Sequence, residues 1–198
     1  MTEFERQLDV WISLNVPALI GVGDDDFRKR VEPLEALAAS IATNHSGSDE
    51  RAAFVLVPDL RGVDIEALVP KLILAGQTRP GKVDRNHGEE GLAPYLPLLE
   101  LGIPDAPYLV VDVERGEEFC DVSPVDALAA IAERKRSPLT IQEGVALQLS
   151  HPAMLQPNKC FMLAGSRRGD KRVPALWISQ RAPKLGWCWQ GNPHSWLG

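Results

Sequence analysis

The chain has 198 residues, of which 44% are apolar and 24% charged, and its net charge is −6 at pH 7. These values lie near globular averages, so they exclude extensive disorder, and the length suffices to bury a core without disulfides or a metal. The acidic balance argues against a general nucleic-acid binder, and no apolar stretch approaches the roughly 18 residues that a membrane-spanning helix needs.

The opening residues, Met1 to Trp11, carry neither the basic start nor the apolar run of a signal peptide, so the cytoplasm is the expected compartment. Cys120, Cys160 and Cys188 are odd in number and show no CxxC spacing, which points to neither a disulfide framework nor a zinc knuckle. Charge is unevenly placed. Residues 134–198 hold ten basic side chains against two acids, a net +8, which leaves −14 for residues 1–133. Either the two parts face and neutralise each other, or the basic part meets an anionic ligand.

Residues 2–14 read as a helix. Thr2 and Glu5 have capping-box spacing, and Phe4, Leu8, Trp11 and Ile12 share a face. A second helix is predicted over 24–43, opened by Asp24 to Asp26 and open to a split at Pro33. Residues 44–49 form a loop by composition, and Ala53 to Val57 read as a buried strand. Residues 64–75 are ambiguous because Pro70 interrupts them, and 76–107 are long irregular structure rich in glycine and proline. Tyr108 to Val113 read as a second buried strand. Ser123 and Pro124 look like an N-cap and its following proline, so a helix runs to about Arg134. The basic triplet Arg134, Lys135 and Arg136 then complements the helix dipole. Thr140 and Glu143 repeat the capping-box spacing for a helix ending near Ser150. Strands follow at about 159–165 and 172–179, with Arg168-Gly169-Asp170 as a hairpin tip, and a last strand covers about 185–190.

Three groups of residues carry possible chemistry. The segment from Asp84 through Arg85, Asn86 and His87 to Glu89 and Glu90 packs an imidazole, carboxylates and a guanidinium into a loop. Histidine beside carboxylate suits acid–base work, with His87 and Glu89 or Glu90 as candidates, but a hydrogen-bonded turn needs the same residues. His-x-Glu is too short to serve as a metal signature, and no metal is expected. Arg167 and Arg168, with Lys171 and Arg172, flank the hairpin tip and suit an anion or simply a solvated surface. Finally, Trp177, Trp187, Trp189 and Trp196 cluster late in the chain with Cys188, Asn192 and His194. They either close the core or line an aromatic pocket. A Cys188 thiolate paired with His194 is chemically conceivable, though nothing in the spacing requires the two to meet. No Walker loop, Rossmann glycine pattern, GxSxG elbow or HExxH occurs, so no cofactor is expected.

Several segments carry a family resemblance. They are Gly81-Lys82-Val83-Asp84-Arg85-Asn86-His87-Gly88, Val111 to Gly116, Pro138 to Ile141, Asn158 to Phe161, and nearly all of Ser166 to Gly198. Together they resemble an uncharacterised family, domain of unknown function 5701, found in actinomycete-type bacteria. The resemblance covers roughly residues 80–198 and implies no activity, cofactor or catalytic residue; Ser195 stands where the family pattern has threonine.

The expectation is thus one α+β domain over 1–198, with a helical segment over 1–45 and an α+β body over 53–198. N-terminal helices precede a mixed or antiparallel sheet with helices packed on one face, then a C-terminal hairpin and a Trp-rich closing strand. Three functions are carried. The first is binding of a small or anionic ligand between the 84–90 loop and the C-terminal Arg/Trp region, using Asp84, Arg85, Asn86, Arg167, Arg168, Trp187, Trp189, Asn192, His194 and Trp196. The second is a cofactor-independent enzyme using His87, and the third a protein-interaction or regulatory module without a pocket. Nucleic acid and membrane are not expected partners.

Overall fold

In the computed structural model, which describes residues 1–45, 47–84 and 87–198, the chain starts with four short helices. Helix α1 (Glu3–Ser13) opens on the predicted capping box: the Thr2 hydroxyl accepts from the Glu5 N–H at 3.2 Å and Glu5 accepts from the Thr2 N–H at 2.6 Å. Its buried face is Phe4, Gln7, Leu8 and Trp11. Helices α2 (Val16–Leu19), α3 (Asp24–Val31) and α4 (Glu35–Asn44) follow. Pro33 splits the predicted 24–43 helix at a 3₁₀ turn over Glu32–Leu34, because its ring cannot continue the α ladder.

Strand β1 (Arg51–Val57) pairs antiparallel with β4 (Tyr108–Glu114), with Val55 opposite Val110. Ala52 through Val57 are all buried, the pattern of a strand covered on both faces. Helix α1 covers its outer edge: Gln7 donates to the Phe54 carbonyl at 3.0 Å and accepts from the Leu56 N–H at 2.7 Å. Trp11 Nε1 donates to the Leu56 carbonyl at 3.1 Å. Strand β4 departs from expectation. It is half-buried, with Val111 43% exposed.

Between these strands the ambiguous 64–75 segment forms two 3₁₀ turns, Ile65–Ala67 and Val69–Lys71. Among the described residues the irregular stretch holds two two-residue strands, β2 (Lys82–Val83) and β3 (Leu96–Pro97), and a 3₁₀ turn over Leu99–Leu101. Helices α5 (Pro124–Glu133) and α6 (Ile141–Ser150) begin at their predicted caps, Ser123 and Thr140. Helix α6 touches β1 and α1 and is buried almost all round.

The C-terminal part is a four-stranded sheet in the order β2-β8-β7-β5, comprising β5 (Phe161–Met162), β7 (Arg172–Ser179) and β8 (Ala182–Trp189). Strand β2 runs parallel to β8, while β5–β7 and β7–β8 are antiparallel. The predicted strand over 159–165 is cut short at Met162. Gly165 turns the chain against residues 138–139, where an added Cβ would lie 2.7 Å from the Pro138 carbonyl oxygen. Strand β6 (Ser166–Arg167) then pairs with β3 instead. The closing strand starts at Ala182, earlier than predicted, because Gln180 (φ 52°) and Arg181 (φ 61°) make a tight turn from two left-handed residues. The last residues extend the sheet. Cys160 N–H donates to Trp196 O at 3.0 Å, Gly198 N–H to Cys160 O at 2.9 Å, and Met162 N–H to Gly198 O at 2.7 Å. One apolar cluster runs from Phe4 to Leu197.

Candidate functional site

The structure divides the predicted site residues into two groups; Arg85 and Asn86 lie outside the described residues. His87 anchors the first group. It is 1% exposed, its Nε2 lies 3.3 Å from the Leu185 carbonyl, and its ring meets Tyr95 edge-on at 5.5 Å. Burial pushes its pKa down, favouring the neutral ring. The His87 carbonyl accepts from Arg168 at 2.7 Å and Arg172 at 3.2 Å. Arg168 also pairs with Glu90 at 3.3 Å and Asp170 at 3.4 Å and lies over Tyr95; Arg172 lies over Trp187, which meets Trp189 at 4.7 Å. Asp84 pairs with Lys184 at 3.1 Å, and Glu89 is exposed. The acidic loop therefore meets the β6–β7 turn and the first half of β8, at Lys184 and Leu185. Arg167 is turned away, donating to the Ala164 and Ser166 carbonyls at 2.6 and 3.0 Å.

Trp177, Trp196, His194 and Asn192 form the second group, around a cavity of about 250 Å³ that Trp187, Cys188 and Trp189 also line. Trp177 packs against Gly186, where a Cβ would sit 1.9 Å from Cη2 of the indole. Trp196 meets Trp177 edge-on at 6.3 Å, and His194 tilts against Trp196 at 5.3 Å. Strand alternation puts Trp177 and Cys188 on one face of the sheet and Trp187 and Trp189 on the other. Trp187 and Trp189 join the two groups, since they line the cavity beside His194 and Trp196 while Trp187 stacks with Arg172 of the first group. Cys188 is directed to Met162, with Sγ 3.6 Å from Sδ, and burial pushes its thiol up to about 11.

A larger cavity, of about 470 Å³, lies between β4, α5 and residues 134–139. Val111, Val113, Ala127, Ile131, Leu147 and Phe161 supply apolar wall. Arg115, Arg134, Lys135, Arg136, Asp112, Glu114 and Glu118 supply charge. Asp112 has a left-handed backbone (φ 57°) inside a strand, a conformation costing on the order of 1 kcal/mol. Its carboxylate is gripped by Arg51, by Arg136 at 2.8 Å and by His45 at 3.6 Å. Burial alone would raise the Asp112 pKa, but the Arg136 and Arg51 guanidiniums outweigh it and hold it down. Arg134 pairs with Glu118, and Arg136 also reaches Glu114 at 3.7 Å. Arg115 is 3% exposed. It donates to the Asp49 and Met154 carbonyls at 2.9 and 3.1 Å and pairs with Glu117, while its buried Nε finds no partner among the described residues.

Sequence reasoning missed this cavity. Its visible trace was the triplet Arg134-Lys135-Arg136, which the dipole of α5 accounts for unaided. The positive φ of Asp112 has no sequence signature.

Helices, two small antiparallel pairings and one mixed sheet make this an α+β protein with a ligand-sized hollow beside a half-buried strand. No helix among the described residues is long and apolar enough to cross a membrane, and no group of three His, Cys, Asp or Glu among them is placed to hold a metal. The chain belongs to the family of unknown function DUF5701, whose model matches residues 10–198. No curated protein and no solved structure matches it.

Proposed function

We propose that the protein binds a small, largely apolar organic molecule in the cavity between β4 and α5. The observation that carries this reading is the cavity itself, about 470 Å³ with apolar walls and charged groups at its margin. Ligand sites characteristically fall at roughly 300–1,000 Å³ and combine apolar lining with a few placed polar groups. Titration with the neutral dye N-phenyl-1-naphthylamine tests it. Saturable fluorescence enhancement is expected in the wild type and not in Val111→Trp, whose circular dichroism stays unchanged because the position is already exposed. Equal binding by both proteins would place the dye elsewhere and end the proposal.

A second reading rests on a different observation. His87 Nδ1 and Tyr95 Oη are buried and make no hydrogen bond among the described residues, and they lie where the Arg168 and Arg172 guanidiniums converge on the His87 carbonyl. Buried polar atoms cost about 1–3 kcal/mol each unless satisfied, which favours a small polar or anionic guest between the loop and the Arg/Trp region. Inorganic phosphate raising the Tm of the wild type but not of Arg172→Gln would support it; no shift in either would remove it. Acid–base chemistry by His87 with Glu89 or Glu90 has less geometric support, since a substrate would have to reach a ring 1% exposed.

A further inference from the structure

We infer that the guest of the β4–α5 cavity is a monocarboxylate with an apolar body, its carboxylate held by Lys135. The inference rests on the cavity reading and adds the charge of the ligand. Four cationic residues line the cavity, Arg115, Arg134, Lys135 and Arg136, against three anionic ones, Asp112, Glu114 and Glu118, and Lys135 lies at its solvent-exposed margin. Their pairing is uneven. Arg134 is engaged by Glu118, Arg136 by Asp112 and Glu114, and Arg115 by Glu117 and Glu50. Lys135 makes no ion pair among the described residues, although it lines the same space.

Its backbone is also unusual. Lys135 follows the C-cap of α5 with φ 57°, and its N–H donates to Ala132 O at 2.9 Å. That position favours glycine, because a Cβ is strained in the left-handed region. The negative end of the helix dipole attracts a cation there, but only with partial charge. A lysine in a glycine position, uncompensated and beside an apolar hollow, presents one full positive charge to whatever enters. One charge matches a monoanion. A dianion would need a second cation, and the neighbouring guanidiniums already serve carboxylates. The valine, isoleucine and phenylalanine walls accept hydrocarbon, so an alkyl or aryl carboxylate fits both halves of the site.

Displacement of the neutral dye by octanoate, octanol and octylammonium reads the charge preference at constant chain length. Octanoate is expected to bind about tenfold tighter than octanol, the scale of one charge-assisted contact, and octylammonium more weakly than either. In Lys135→Gly the octanoate advantage disappears, octanol binding is unchanged, and Tm does not fall because glycine relieves the backbone. Lys135→Glu turns the preference toward octylammonium. Equal binding of octanoate and octanol to the wild type overturns the carboxylate inference and leaves the cavity reading standing. An octanoate preference that survives Lys135→Gly overturns the role of Lys135. If neither the dye nor any octyl compound binds, the cavity reading fails and this inference with it.

Discussion

Gly186 illustrates how much one absent methyl group can fix. The Trp177 indole lies where the Cβ of any other residue would sit, so Gly186→Ala must lift the ring or bend β8. Overpacking of this kind costs roughly 1–3 kcal/mol; urea denaturation should show that loss, and Trp177→Ala in the same chain should recover part of it. Cys188 gives a sharper expectation. With its thiol pushed up to about 11, mainly by burial, it stays protonated at neutral pH. Native protein should leave Cys188 unalkylated by iodoacetamide, and unfolding should release it. Glu3 contributes to the pH dependence. Burial would raise its pKa, but hydrogen bonds from Arg6, His151 and Gln7 outweigh that and hold the carboxyl well below its ordinary 4.5. A depressed folded-state pKa gives stability that is present above 4.5 and lost as pH falls toward the folded value. Denaturation midpoints measured from pH 6 downward (a range of about three units) should therefore fall less steeply in Glu3→Gln than in wild type.

At the scale of elements, what could be read in advance was local. Both capping boxes formed because each joins residues three apart, and the Ser123-Pro124 start of α5 is equally self-contained. The two boxes differ in burial, and so in expected effect. Thr2 is exposed, whereas Thr140 is buried and its Glu143 partner also accepts from Tyr108 Oη at 3.0 Å, tying α6 to β4. Thr140→Ala should cost about 1–2 kcal/mol by urea denaturation and Thr2→Ala clearly less. Strand limits were harder to read because partners set them. Residues 163–165 look as strand-like as 161–162, yet Gly165 meets the backbone of 138–139 and ends the pairing. The β7–β8 turn was hidden by chemistry, since Gln180 and Arg181 adopt left-handed angles that Asn-Gly would have advertised.

Across the whole molecule, the opposed charges of the two parts do meet. Lys159 reaches Glu50 and Glu117, Arg134 reaches Glu118, Arg136 reaches Asp112 and Glu114, Arg168 reaches Glu90, and Lys184 reaches Asp84. Partly exposed pairs are screened by salt, so raising NaCl to about 0.5 M should lower the urea midpoint, and screening should matter less for Arg136→Met, which has already lost two of these pairs. The β4–α5 cavity could not be read in advance because it draws on β4, α5, α6 and β5, and no single segment signals it. The loop at His87 was conspicuous by composition, but its burial against Tyr95 and Leu185 depends on contacts distant in sequence.

Residues 196–198 bring a practical consequence for anyone shortening the chain. They occupy the outer hydrogen-bonding positions of β5. Trimmed after Ser195, the protein would present a bare ribbon flank that neighbouring molecules can zip onto, and its solutions should turn cloudy with rising concentration while the untrimmed chain stays clear.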